Sequence, residues 1–344
     1  MGTRSSLEKR LAEASVDDVL KYSTGAGLKE AKDAFSAMSR STTGSTKGGD
    51  VLRGGIKPHL LGSSTKLEHN ETSGEHGVLG SKQLVQYLQP SNQSGIKGCN
   101  TCGSETKGCK GACLSGSGQL GLTGGEIAKQ ARTKMAWEQP DMYLGLVQSE
   151  IRNHERTSRA MRRTPVVRLN GTSDVGWHRL GETSDLLIGS RPGTQFNEYT
   201  KFNTHDVVEH EDPNPYSNYH WIHSLTENTT VPRIEQITKS GRNVAVPLNI
   251  KKGDKIPDSL TINDKQGRSI ELPTVRTSRG ESAGDAHDMR HLDERIGGAV
   301  ALRAKEITVE GRRGVFDKTG FIRPMQSGSA ETPVQISRRR PHNA

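Results

Sequence analysis

The chain has 344 residues and four cysteines, Cys99, Cys102, Cys109 and Cys113, all inside one short segment, GCNTCGSETKGCKGACLSGSG at 98–118. Their spacing is C-x2-C-x6-C-x3-C. A thiolate is a soft ligand, and several within so few residues can converge on one ion or cluster. Gly98, Gly103, Gly108 and Gly111 let the backbone fold tightly around such a centre. Lys107 and Lys110 are expected to lower the thiol pKa values and offset the charge of metal-bound sulfur. Two metal chemistries fit. Four thiolates closing on Zn2+ would make a structural tetrahedral site; the C-x2-C knuckle suits it, but C-x6-C-x3-C is not a usual second half. Alternatively, three cysteines hold three irons of a [4Fe–4S] cluster and leave the fourth iron open to a substrate or to S-adenosylmethionine. The plain alternative is free thiols or incidental disulfides.

Polar residues gather at the ends of short apolar runs further on. VVRLNGTSDVGW carries Asn170 and Asp174 into a glycine-bearing turn. Asp174 can hold an amine or a ribose hydroxyl, and Asn170 can donate or accept; both can equally cap a turn. NEYTK ends in Glu198, Tyr199 and Lys201, and NYHWIHSLTEN brings His220, His223, Ser224 and Glu227. Residues three apart on a strand face opposite ways, so His220 and His223 do not share an ion; Ser224 and Glu227 are the better ligand-facing candidates. GDAHDMRHLDE holds Asp285, Asp288, Arg290 and Asp293, a set that serves a metal or cationic ligand, or forms Arg–Asp pairs that order a loop.

Elements must deliver these groups. SLEKRLAEASVDDVLKYS and GLKEAKDAFSAM have helical spacing, and SRSTTGSTKGGD at 39–50 reads as a linker. KQLVQYLQ at 82–89 reads as a strand. TGGEIAKQARTKMAWEQ reads as a helix, and a longer helix starts near Pro140. Short strand candidates then recur at 165–170, 194–201, 218–225, 243–249 and 298–305, with VPRIEQITKSG as a helix at 231–241. Strands separated by crossovers imply parallel pairing and ligands at the strand C-termini. The expected fold class is α/β, a complete or partial β/α barrel with parallel strands. A short helical N-terminal arm and linker occupies 1–50, the core 51–325, and a disordered basic tail 326–344.

Apolar residues make up only 31 % of the chain and aromatics 4 %, while the net charge is +9. A basic excess suits a nucleic acid or nucleotide partner without proving one. No stretch approaches the length of a membrane helix, and the N-terminus lacks the apolar run of a signal peptide, so no membrane partner and a cytoplasmic location are expected. The motifs of P-loop nucleotide hydrolases, serine hydrolases and helical zinc proteases are absent.

Seven blocks occur in an order that resembles the phage gene product 88-like proteins: CGSETKGCKGACLSGSG, TPVVRLNGTSDVGW, FNEYTK, NYHWIHSLTEN, GRNVAVPLN, GDAHDMRHLDE and AVALRAKE. The resemblance covers roughly 61–323. It implies a phage or mobile-element setting and puts the family's C-x6-C-x3-C on Cys102, Cys109 and Cys113, with Cys99 as an extra thiol. Departures are Pro247 within an apolar strand, inserts near 203–217 and 251–282, and the N-terminal arm. A three-cysteine loop after the first strand is also similar to radical S-adenosylmethionine enzymes, although their C-x3-C-x2-C spacing is missing. The leading expectation is a [4Fe–4S] protein with a ligand pocket from Asn170, Asp174, Glu198, Lys201, Ser224, Glu227 and Asp285, acting on a nucleotide or nucleic acid. The alternative is a zinc-stabilised nucleic-acid-binding protein without catalysis.

Overall fold

The computed structural model describes residues 4–43, 59–63, 83–202, 215–251, 253–309, 312–315 and 317–324. Strands form where short apolar runs are bounded by turn residues. They are β1 (Leu61–Ser63), β2 (Gln83–Gln86), β3 (Val166–Arg168), β4 (Gln195–Thr200), β5 (Tyr219–Ser224) and β6 (Val244–Asn249). After them come the hairpin β7 (Ser259–Asn263) and β8 (Ser269–Pro273), then β9 (Ala299–Arg303), the pair β10 (Ile307–Val309) and β11 (Arg312–Gly314), and β12 (Arg323–Pro324).

The main sheet runs β1-β2-β3-β4-β5-β6-β12, with β9 also on β6. Only β1 is antiparallel; the other pairings are parallel. The mostly parallel sheet with helices is as expected, but a complete barrel is not seen among the described residues. Closure requires every strand to pair on both sides with a continuing stagger. Here β1 ends one side, β9 and β12 lie at the other, and no pairing among the described residues joins them. One edge of β6 is shared: β5 pairs with Val244 and Ala245, and β12 with Leu248 and Asn249. Val246 and Pro247 fall between those two pairings. A proline, which has no N–H for a ladder, is tolerated where a neighbouring strand is missing.

Helices α1 (Ser6–Leu11), α2 (Val16–Tyr22) and α3 (Gly25–Thr43) precede the sheet; α4 (Lys107–Gly111), α5 (Thr123–Glu138) and α6 (Pro140–Ala160) lie between β2 and β3, and α7 (Val231–Lys239) follows β5. Ser5 and Ser15 cap α1 and α2, accepting from Glu8 N and Asp18 N. Because α3 continues to Thr43, the start of the expected linker is helix. The remainder of that linker, residues 203–214 of the first insert and the tail at 326–344 lie outside the described residues. The second insert, 251–282, contains the β7–β8 hairpin.

Leu7, Leu11, Val19 and Phe35 of the N-terminal helices share one buried cluster with Met135, Tyr143, Ile151, Val167, Phe196 and Tyr219. The arm is therefore packed on the sheet. A second cluster joins Ile234 and Ile237 of α7 to Val244, Leu260, Leu272 and Ala299. Two carboxylates of α6 fasten the sheet. Glu150 accepts from Leu60 N at 2.9 Å and Leu61 N at 2.8 Å. Glu155 pairs with Arg191 and accepts from Thr194 Oγ1 at 2.6 Å, at the entry to β4. No described helix is long and apolar enough to cross a membrane.

Candidate functional site: a three-thiol centre

The cysteine segment leaves β2 and folds over the C-terminal ends of β2 to β5. Its first half is pinned from two directions. Thr101 Oγ1 donates to Gln89 O at 2.7 Å, and Thr101 N to Ser91 O at 3.0 Å. Asp174 N donates to Thr101 O at 3.0 Å, so that Cys102 and Asp174 form an isolated parallel bridge. From the arm, Leu7 N donates to Asn100 O at 3.0 Å and Ser6 Oγ to Gly98 O at 2.6 Å. The buried Glu8 carboxylate holds Gly176 N at 3.1 Å and Arg179 at 2.8 Å.

The second half is pinned by Glu227, in the turn that follows β5. Thr106 caps α4, accepting from Cys109 N at 3.2 Å, and its hydroxyl donates to Glu227 Oε2 at 2.6 Å. Glu227 Oε1 accepts from Gly108 N at 3.0 Å. A carboxylate beside the first helical N–H groups is electrostatically favourable. Gly108 has no alternative here: a Cβ would collide with Thr319 Oγ1 and Phe321 Cβ and reach 2.8 Å from Glu227 Oε2. The 317–324 segment thus lies directly on α4.

Between these anchors, three of the thiols act electrostatically on one buried ammonium, Lys201. Burial works to lower the Lys201 pKa, but Cys109, Asp174, Cys102 and Cys113 together outweigh it and hold the lysine above its ordinary value. Burial pushes the Cys102 thiol up to about 12; Asp174 and Cys113 add to this, against hydrogen bonding from Ser91 N–H and Thr101. Burial also raises Cys113, with Cys109 adding and Lys201 and Lys129 opposing. Cys99 stands apart: burial raises its thiol and a hydrogen bond with Ser94 opposes the rise. The cations acting on Cys113 are Lys201 and Lys129 rather than Lys107 and Lys110, the expected pair; Lys110 instead bonds Asn92 Oδ1 at 2.8 Å.

Two buried polar atoms near this ammonium have no hydrogen-bond partner among the described residues, Asp174 Oδ1 and His223 Nδ1. Asp174 Oδ2 accepts from Lys201 N at 2.8 Å. Burial raises the Asp174 pKa against Lys201, and burial, Arg233 and Lys201 together lower His223 to about 3. Among the described residues, no group of three or more His, Cys, Asp or Glu is arranged to hold a single metal ion.

The other sequence candidates take different places. Asn170 is consumed by its own turn: Oδ1 accepts from Ser173 Oγ, Val175 N and Trp177 Nε1, and Nδ2 donates to Val175 O. Glu198 accepts from Leu169 N at 2.6 Å and Asn170 N at 2.9 Å, and burial raises it to about 8. Ser224 is buried at the last position of β5, opposite Ala245. Asp285 forms a two-oxygen clamp on Arg303 at 2.9 Å. Sequence reasoning set His223 aside when it rejected a His220–His223 ion site. It missed Lys129, a fully buried lysine on α5 that donates to Ser115 and reaches Glu126 at 2.6 Å. A lysine one turn beyond a glutamate on a helix looks like any surface pair, so no pattern revealed it.

Fold and site together define an α/β protein with an open, mostly parallel sheet and a thiol-rich centre over the C-terminal strand ends. The family model described as Gene product 88 matches residues 59–318, about three quarters of the chain, and the chain belongs to that family. No curated protein and no solved structure matches it.

Proposed function

We propose that this gene product 88 protein is a metalloprotein that carries a [4Fe–4S] cluster on Cys102, Cys109 and Cys113. The observation that carries the reading is that Cys102, Cys109 and Cys113 all favour the charged form of one buried ammonium, Lys201, while Cys99 does not figure among its neighbours. The alternative is a zinc ion held by all four cysteines, which would need Cys99 as well.

The residues present fit such a group. Lys201 offsets part of the thiolate charge, and α1, Asp174 and Glu227 fix the loop from three directions. Such a cluster supplies electron transfer or, with S-adenosylmethionine at an open iron, one-electron reduction of that ligand. Asp174 Oδ1 and His223 Nδ1 are the groups of this chain available to a ligand beside it. An amine or hydroxyl can donate to either, and a phage setting makes a nucleotide or nucleic acid the first substrate class to test. Purification without oxygen, followed by absorption spectroscopy and iron and sulfide analysis, tests the reading. A brown protein with near-stoichiometric iron and sulfide is expected; a colourless protein with one zinc per chain would reject it.

A further inference from the structure

Helix α6 ends in a row of arginines. Arg152, Arg156 and Arg159 follow an i, i+4, i+7 spacing, which sets their side chains along one side of the helix. Arg162 and Arg163 carry the row past Ala160, the last helical residue. Arg156, Arg159 and Arg162 are exposed, and Arg152 and Arg163 are half-buried. The acids of this stretch are spent elsewhere. Glu150 holds the Leu60 and Leu61 N–H groups, and Glu155 holds Arg191 and Thr194. Among the described residues no carboxylate pairs with any arginine of the row. Arg152 donates to Ser23 O and Arg156 to Asn153 Oδ1, both at 2.8 Å.

The row persists despite two local costs. Like charges three and four residues apart repel and weaken a helix. Arg162, moreover, has φ 54°, a left-handed backbone. Its N–H donates to Arg159 O at 2.9 Å, and Arg163 N–H donates to Ser158 O at 2.8 Å. These are the two bonds that close a helix through one left-handed residue, a place usually held by glycine or asparagine because a larger side chain is strained there. The helix dipole favours a cation in the last turn, and Arg159 supplies it. It does not account for the rest of the row, nor for an arginine in the strained position.

We propose that this arginine row binds the phosphate backbone of a nucleic acid. A guanidinium stays charged and offers a planar fork to phosphate oxygens. Arg152 to Arg159 span about 10 Å of helix axis, close to three steps along a nucleic-acid strand. A linear row of cations with no acid among them suits a linear polyanion, and the chain as a whole carries a net charge of +9. Because α6 leads into the start of β3, the row lies at the N-terminal ends of the strands, away from the thiol centre. It needs no metal, so its failure leaves the cluster reading untouched.

The test follows the fluorescence anisotropy of a short labelled single-stranded DNA with the full, metal-free chain, between about 50 and 200 mM salt. About four phosphate contacts give a log–log slope of affinity against salt of about −3. Arg156→Gln and Arg159→Gln should each weaken binding severalfold and make the slope shallower by about 0.7. Both side chains are exposed, so the variants leave the core intact. Arg162→Gly separates binding from folding: it relieves the strained backbone, so the urea midpoint should rise while DNA affinity falls. Lys239→Gln, at an exposed lysine of α7 outside the row, should change neither slope nor affinity. Vesicles containing phosphatidylglycerol form a second arm. DNA binding that depends on these arginines supports the surface. No binding of DNA, unchanged affinity and slope in all three arginine variants, or a preference for vesicles over DNA would overturn it.

Discussion

Replacing Gly108 by alanine probes the packing that closes the thiol centre. A Cβ at this position meets Thr319 Oγ1, Phe321 Cβ and Glu227 Oε2, whereas at Gly111, in the same short helix, it meets nothing within 4 Å. Forcing extra volume into a filled contact costs about 1–3 kcal/mol. Alanine in a helix recovers about 0.5–1 kcal/mol relative to glycine. Gly108→Ala is thus expected to lose up to about 2.5 kcal/mol net, and Gly111→Ala to be neutral or stabilised by up to about 1 kcal/mol. Urea unfolding measures both, and the slope should stay constant while the midpoint moves. The steric conflict also pushes the 317–324 segment off α4, so Cys109 in Gly108→Ala should react faster with a thiol reagent in native buffer. Equal stability and equal thiol reactivity in the two variants would refute the placement of that segment.

Three further outcomes follow from the same geometry. Glu227→Gln weakens the tie from β5 to α4, where a carboxylate accepts from a hydroxyl and a backbone N–H; a loss of about 1.5–3 kcal/mol in urea unfolding is expected. His223 is held near 3 in the folded chain against about 6.5 unfolded, so the unfolded chain binds the extra proton between those values. Its contribution is complete above pH 6.5 and falls as pH drops, by about 2 kcal/mol at pH 5; His223→Gln should lose that acid limb when stability is compared at pH 7 and pH 5. Lys201→Met removes the ammonium that opposes the burial of Cys113. The Cys113 thiol should then rise further, and its alkylation at pH 8 should slow relative to the unaltered chain, as read by mass spectrometry.

Much of the scaffold was legible in the sequence because it rests on local pattern. The runs at 165–170, 194–201, 218–225, 243–249 and 298–305 each contain an observed strand, and the helix at Pro140 begins at that residue. Parallel pairing followed from the crossovers between them. What local pattern does not encode is which edges meet. The sharing of the β6 edge by β5 and β12 is decided by residues some 75 positions apart, and no pairing among the described residues closes the sheet into a complete barrel. The arm read as an accessory, yet Glu8 reaches Arg179 and Leu7 reaches Asn100, contacts invisible in a run of helical spacing. In the candidate site, Cys102, Cys109 and Cys113 were named from their spacing and the family resemblance, and Asp174 and Lys201 from strand-end position; the four others each favour the charged form of Lys201. Asn170 and Asp285 looked equally chemical in sequence. Their polar atoms are spent on a turn and on Arg303, which only three-dimensional hydrogen bonding reveals.

The most direct measurement is iron and sulfide content, with the low-temperature electron paramagnetic resonance of the reduced protein, after anaerobic reconstitution of Cys99→Ser and Cys109→Ser side by side. Cys99→Ser should keep wild-type content and signal, and Cys109→Ser should lose most of both. Equal loss in the two variants, or no iron bound by the unaltered chain, would contradict a centre built on three thiols around Lys201.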